Sequence, residues 1–275
     1  MTPAISQILD RHGLPLLSLG EINRLPPEEK EQIYAALVPE TLFDDFAIDR
    51  ATFCDRDGHR LVHFICPAGL GLLRIEVRRQ PTDRDSLFFV ELADTPYRQI
   101  ELAFCVINDP RSPRYDIDVD EFGRDNCFGT LRRNLDEERK AMAAGLSPNQ
   151  VRRGLQLFSP FLQRLEAFVQ ALGIDSIVAE PLSYNNAIRY ETYGFDYITG
   201  KQLMLWIDRE FQPGGCLLSR LDGSSPFRQP GMEKSVRGRS WAIHDGILER
   251  PWDGVKIYKV PGFSAGIDTF PARKF

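Results

Sequence analysis

The most regular hydrophobic pattern lies in the middle of the chain. Val151, Leu155, Phe158, Leu162, Leu165, Val169 and Leu172 recur at alternating spacings of four and three residues, which lays them along one stripe of an α-helix. Ser147-Pro148-Asn149-Gln150 precedes them with Ser, Pro and Gln where a capping box places them. Gly173 follows where a left-handed residue ends a helix. The pattern predicts one long helix that begins at Ser147 and stops before Gly173.

Upstream the period changes. Ala51–Cys54, Leu61–Pro67, Leu72–Arg79, Leu87–Ala93 and Gln99–Asn108 are rich in Val, Ile, Phe and Thr and are divided by turn material such as Asp55-Arg56-Asp57-Gly58 and Ala68-Gly69. That spacing predicts consecutive antiparallel strands. In the last run Ile100, Leu102, Phe104 and Val106 alternate with Glu101 and Ala103, so the first four are expected on one face. Residues 1–48 read as polar helices, one opened by Pro26-Pro27-Glu28-Glu29. A further helix is expected over about Leu131–Ala144. After Gly173 the pattern predicts a strand over Ser176–Ala179 and a helix over Tyr184–Tyr193. Strands are expected over Phe195–Ile198, Leu203–Ile207 and Val255–Val260, with a short helix capped by Ser240 before the last.

This order describes an α/β (α+β) chain with a mixed, largely antiparallel central sheet flanked by helices. Its expected parts are a helical N-terminal segment 1–49, a core 50–211 interrupted by an insertion at 109–146, and a loop-rich C-terminal extension 212–275 packed on the core. With 275 residues, 43% of them hydrophobic and 27% charged, composition is that of a folded globular chain and excludes collagen-like and disordered classes. The net charge of -5 without a long Lys/Arg run argues against a nucleic-acid partner. No apolar stretch approaches membrane-spanning length, and MTPAISQILDRHG lacks a basic-then-apolar leader pattern. Five cysteines without CxxC spacing fit a reducing compartment. The expected location is the cytoplasm.

Tyr190-Glu191-Thr192-Tyr193-Gly194-Phe195, preceded by Asn186-Ala187-Ile188-Arg189 and following the strand at Ser176, resembles the second half of the GNAT acyl-CoA N-acyltransferase superfamily. That family places a phosphate-binding turn and long helix before a strand, then a short helix ending in Tyr-Glu-x-x-Gly-Phe. The upstream run of strands is similar to the family's first half. The best register for the family's pyrophosphate loop is Val151-Arg152-Arg153-Gly154-Leu155-Gln156, which keeps one glycine of the motif. The resemblance implies a GNAT-like core, acetyl-CoA or another acyl-CoA as co-substrate, a small-molecule or peptide amine as acceptor, and no metal. It leaves a homodimer open and implies no membrane partner.

Within that resemblance Tyr190 is the expected general acid for the leaving thiolate, since a phenol and a thiolate have comparable basicity. Glu101 and Glu180, each on or at the end of a strand, are the candidate bases. Val151, Arg152, Arg153, Gly154 and Leu155 are the expected cofactor-binding loop, with Asn186 (or Asn185) bonding the pantetheine arm or capping its helix. The alternative is a non-catalytic GNAT-like module, a ligand-binding or protein-interaction protein that has lost coenzyme A binding. A third reading is an enzyme that reuses the cleft for a ligand other than coenzyme A, with the basic segment 220–239 closing such a site. Asp116, Asp118 and Asp120 fail the EF-hand pattern, which wants Gly and Glu where Glu121 and Cys127 stand. They read as one solvated face of an edge strand. His59 and His63 have no evident third ligand.

Overall fold

The computed structural model describes residues 7–126 and 132–275. Leu131 and Cys127, which the sequence reading uses, lie outside the described residues. In chain order the elements are α1 (Leu19–Ile22), α2 (Pro27–Ala35), α3 (Glu40–Asp45), β1 (Val62–Ile65), β2 (Leu72–Val77), β3 (Phe88–Asp94), β4 (Ile100–Ile107), α4 (Leu135–Ala143), α5 (Phe158–Ala171), β5 (Ile177–Ala179), α6 (Tyr184–Thr192), β6 (Asp196–Thr199), α7 (Lys201–Glu210), α8 (Cys216–Ser219), α9 (Val236–His244) and β7 (Lys256–Lys259). The chain divides into two compact units. One comprises Met1–Pro110, Gly154–Ala179 and Tyr258–Phe263; the other comprises Arg111–Arg153, Glu180–Ile257 and Ser264–Phe275.

In the first unit β1, β2, β3 and β4 pair antiparallel in sequence order, and β5 adds to β4 in parallel. The class is therefore mixed α/β with a largely antiparallel sheet. Leu73, Ile75, Val77, Phe88, Val90, Leu92, Ile100 and Leu102 are buried on one face, as alternation requires. Helix α5 covers that face. Its Phe161, Leu162, Leu165, Phe168 and Val169 are buried, and Phe161 meets Phe88 edge-on with centroids 5.3 Å apart. Tyr34 of α2 packs on Phe168 of α5 at 6.2 Å. Asp94 at the end of β3 caps α1 from a distance, accepting from the Leu19 and Gly20 N–H groups at 3.0 and 2.9 Å.

Five expectations are corrected. The long helix starts at Phe158, not Ser147. Gln150 Oε1 does accept from the Ser147 N–H at 2.8 Å, as a capping box requires, but Asn149 and Gln156 have φ of 65° and 60°. Left-handed residues cannot continue a right-handed helix, so the capping box closes a turn. The alternation along β4 breaks at Ala103. Leu102 pairs with Leu92 and Phe104 with Glu91, so Ala103 is the extra residue of a bulge. Cys105 and Ile107 therefore join the face of Ile100 and Leu102, while Phe104 and Val106 turn to the face of Glu101. The run Leu203–Ile207 is helix α7. A continuous apolar run does not declare its period, and here Met204 and Ile207 are buried while Leu205 is exposed, which is helical spacing. The last helix begins at Val236, where Ser235 Oγ accepts from the Gly238 N–H at 3.0 Å. Ala51–Cys54 makes only an isolated bridge, Cys54 to Arg60.

The second unit is built around Ile117, Ala141, Leu146, Phe227 and Trp241, with Tyr115, Met142 and Val151 against them. Phe227 and Trp241 stack at 5.2 Å, and Trp241 Nε1 donates to the Leu146 carbonyl at 2.9 Å. Residues of the 109–146 insertion thus share a core with residues of the C-terminal extension.

Candidate functional site

Besides the outer edge of β1, the sheet of the first unit opens along β4. β5 pairs with β4 only at Ile100 and Glu101, so among the described residues β3 is the strand paired with β4 from Leu102 onward. An edge of this kind presents N–H and C=O groups to an extended ligand. The bulge leaves Ala103 without a partner residue on β3. At the far end of β4 the chain returns as Gly154–Leu157 and enters α5. A Cβ at Gly154 would lie 2.8 Å from the Ile107 carbonyl oxygen, so only glycine lets the loop pass this close.

The loop is rich in available donors. Among the described residues, the N–H groups of Gly154, Leu155, Gln156 and Leu157 have no intramolecular acceptor. No side chain caps α5, and its first turn holds no acid. Gln156 at φ 60° is followed by Leu157 at φ −89° and ψ 5°. Alternating hand turns successive N–H groups toward one side and makes a concavity suited to anions. A helix N-terminus adds its partial positive charge there. Such an arrangement can hold phosphate oxygens.

The other sequence-expected residues fall as follows. Glu101 lies within the sheet, between Ala93 of β3 and Val178 of β5, on the face opposite Leu102. Leu155 is half-buried in the loop and Gly154 exposed. In the second unit, the Val151 carbonyl accepts from the Tyr115 N–H at 2.8 Å and its side chain packs on the core. Arg152 donates to the Ser112 carbonyl at 3.2 Å and Arg153 to the Ala144 carbonyl at 3.1 Å. Glu180 is exposed and paired with Lys256 at 2.6 Å. Asn186 accepts from the Asn185 amide at 3.0 Å, and Asn185 accepts from the hydroxyls of Ser183 and Ser240. Tyr190 is half-buried on α6, its ring edge-on to Phe195 at 4.8 Å.

Glu191, the motif's carboxylate, is buried. It accepts from the Tyr197 hydroxyl at 2.6 Å, from the Thr269 N–H at 3.1 Å and from the Thr269 hydroxyl at 2.5 Å. Burial outweighs these donors and Arg273, and raises its pKa above the ordinary glutamate value. Its position ties α6 to the segment at 269 and 273 inside the second unit. Sequence reading missed the Ala103 bulge and the Gln156–Leu157 turn. Neither leaves a mark in residue type, since Ala and Gln are common in regular elements.

Three of the cations in the basic segment 220–239 are engaged within the chain. Arg220 bonds the Ile247 carbonyl and Glu249, Arg228 bonds Asp245, and Arg239 bonds Asp208 and the Glu233 carbonyl. Arg133 Nε reaches Glu138 Oε2 at 2.9 Å, His244 lies 3.2 Å from the same carboxylate, and Arg133 also reaches Asp245 at 2.7 Å. Burial works against the Glu138 carboxylate, yet His244 and Arg133 hold its pKa below the ordinary range.

The three aspartates do not share a strand face. Asp118 pairs with Arg114 at 2.6 Å and Asp116 with the same guanidinium, while Asp120 accepts from the Arg124 and Phe122 N–H groups of a tight turn. Asp55, Asp57 and His59 bring potential ligand atoms within 4.8 Å of one another. Asp55 is occupied there by the Asp57 and His59 N–H groups and by the His59 ring, and His63 is not part of the group.

No protein-family model, curated protein or solved structure matches the chain. No described helix is long and apolar enough to cross a membrane.

Proposed function

We propose that the chain transfers an acyl group from an acyl-coenzyme A to an amine, as the resemblance to the GNAT superfamily implies. The observation that carries this reading is the run of N–H groups at Gly154–Leu157, beside the end of a strand whose later half is open on one side. A coenzyme needs both parts. Its pyrophosphate requires donors at a helix entrance, and its amide-bearing arm can bond to an open strand edge. The amine attacks the thioester carbon, its proton passing to Glu101, Glu180 or water. Backbone donors near the Ala103 bulge polarise the carbonyl. In this reading Tyr190 protonates the departing sulfur, a role that comes from the resemblance alone.

A second reading has support of its own. The guanidinium groups of Arg152 and Arg153 are bonded to the Ser112 and Ala144 carbonyls, which fits a GNAT-like module that binds no coenzyme. Calorimetric titration of coenzyme A and acetyl-coenzyme A separates the two. Micromolar, salt-sensitive binding supports the transferase. An absence of heat and of thermal stabilisation at millimolar ligand supports the module. In a binding-competent protein, Tyr190→Phe should lower kcat and leave the affinity for coenzyme A unchanged.

A further inference from the structure

The first unit holds a second concavity, at the end of the sheet opposite the Gly154 loop. It encloses about 430 Å³ and is lined by Asp10, Arg11, His12, Arg24, Leu25 and Pro26. Gly154 abuts Ile107 at one end of β4. Arg24 instead approaches Gly69, in the turn before β2, and the first residues of β2 pair with the last of β3, which pair with the first of β4.

The charges of this concavity are unbalanced. Two guanidiniums and an imidazole face one carboxylate. Asp10 is also the group that shapes the turn, its Oδ1 accepting from the His12 and Leu14 N–H groups at 2.8 Å each. The bridge between Leu9 and Pro15 closes the hairpin behind it. The turn sets Arg11 and His12 side by side, with Arg11 Nε donating to His12 Nε2 at 3.1 Å. Among the described residues, neither Arg11 nor Arg24 has a carboxylate within ion-pair distance. Elsewhere in the chain arginines pair readily, as Arg60 does with Glu31 and Arg74 with Glu91. A planar guanidinium fork matches a phosphate group, and the Arg11 and Arg24 forks both line this concavity.

We propose that the Arg11–His12–Arg24 concavity binds the phosphate group of a small phosphate monoester, with Arg11 and Arg24 gripping its oxygens and His12 holding the Arg11 guanidinium in place. Leu25 and Pro26 give the ester's organic part an apolar wall. The site is independent of the Gly154 loop and of the acyl-transfer reading.

The test uses the whole chain, titrated with inorganic phosphate and with phenyl phosphate at low salt and followed by NMR shifts and by calorimetry. Phosphate should bind with shifts at residues 10–14 and 24–26, and phenyl phosphate more tightly. Arg11→Gln and Arg24→Gln should each raise Kd about tenfold, the loss of a charge-assisted hydrogen bond, and the double variant should not bind. All three side chains are exposed, so melting without phosphate should stay at the wild-type value. A wild-type protein silent to millimolar phosphate overturns the assignment. Variants that bind as well as wild type, with shifts at 154–159 instead, overturn it equally.

Discussion

Gly154→Ala tests the closest approach in the candidate site. Gly154 has no positive φ, so alanine fits its backbone and any cost is steric. The added Cβ would meet the Ile107 carbonyl oxygen at 2.8 Å, about 0.7 Å inside the roughly 3.5 Å where non-bonded atoms sit comfortably. The obstacle is backbone, which cannot rotate away as a side chain would. Either the loop or the end of β4 must move, at about 1–3 kcal/mol by comparison with overpacked cores. In a chain of this size that lowers Tm by about 3–10 °C. Gly173→Ala is the matched control at the other end of α5. Gly173 has φ 66° and nothing within 4 Å of an added Cβ, so its cost of about 1–2 kcal/mol is conformational and should leave the loop donors in place. Calorimetric melting and coenzyme A titration of both variants are the assays. Gly154→Ala should lose about tenfold or more in coenzyme affinity, and Gly173→Ala nothing beyond its stability cost. A Gly154→Ala protein melting within a degree of wild type would refute the close approach. Loss of stability with unchanged coenzyme binding would refute the loop as the phosphate cradle.

Three further outcomes follow from the geometry. Because the Glu191 pKa is raised in the folded state, the native protein holds this proton more tightly than the unfolded chain. Glu191 thus contributes stability that is present at acid pH and declines as pH rises from the ordinary glutamate value through the folded one. Glu191→Gln should flatten that part of the curve of unfolding free energy against pH, and an unchanged curve contradicts the assignment. Arg239 is buried, with its guanidinium 3.5 Å from the Phe270 ring centroid, 5.0 Å from that of Phe211, and bonded to Asp208 at 2.8 Å. Arg239→Ala strands Asp208 and opens a void, for a loss of about 3–5 kcal/mol; Arg239→Lys should recover little, because an ammonium does not stack as a planar guanidinium does. Denaturant unfolding measures both, and full rescue by lysine would refute the stacking. Cys105 is half-buried and Cys216 exposed, and loss of hydration pushes the Cys105 thiol up to about 12. Native alkylation at pH 8, mapped by mass spectrometry, should label Cys216 faster than Cys105, with the difference lost in denaturant; equally rapid native labelling of Cys105 would contradict its raised pKa.

Much of this architecture was legible because period-two and period-3.6 patterns record which face of an element is buried. The hairpins of β2, β3 and β4, the apolar stripe of α5, the strand β5 and the helix α6 ending at Gly194 all follow from such patterns. Phe161, Leu162, Leu165 and Val169 are buried because that is where the stripe meets the sheet. The failures have a common cause. Leu203–Ile207 is apolar throughout, so its period was hidden until packing buried Met204 and left Leu205 outside. The capping box at Ser147 formed locally, but Asn149 within it and Gln156 beyond it took left-handed conformations, and local propensity is weak against such competition.

The candidate site divides along the same line. Residue types alone pointed to Gly154 and to the Tyr190 motif, since a glycine ahead of a helix and a tyrosine-glutamate ending carry recognisable chemistry. The sequence could not say that Gly154 lies against Ile107, that Ala103 is extruded from its ladder, or that four successive N–H groups lack acceptors. Nor could it say that Arg152 is engaged by the Ser112 carbonyl, Arg220 by the Ile247 carbonyl and Glu249, or Arg239 by Asp208. Those facts belong to tertiary structure for a physical reason. A hydrogen bond or steric contact between residues distant in sequence depends on where two elements meet, whereas periodicity reports only which side of each element is dry.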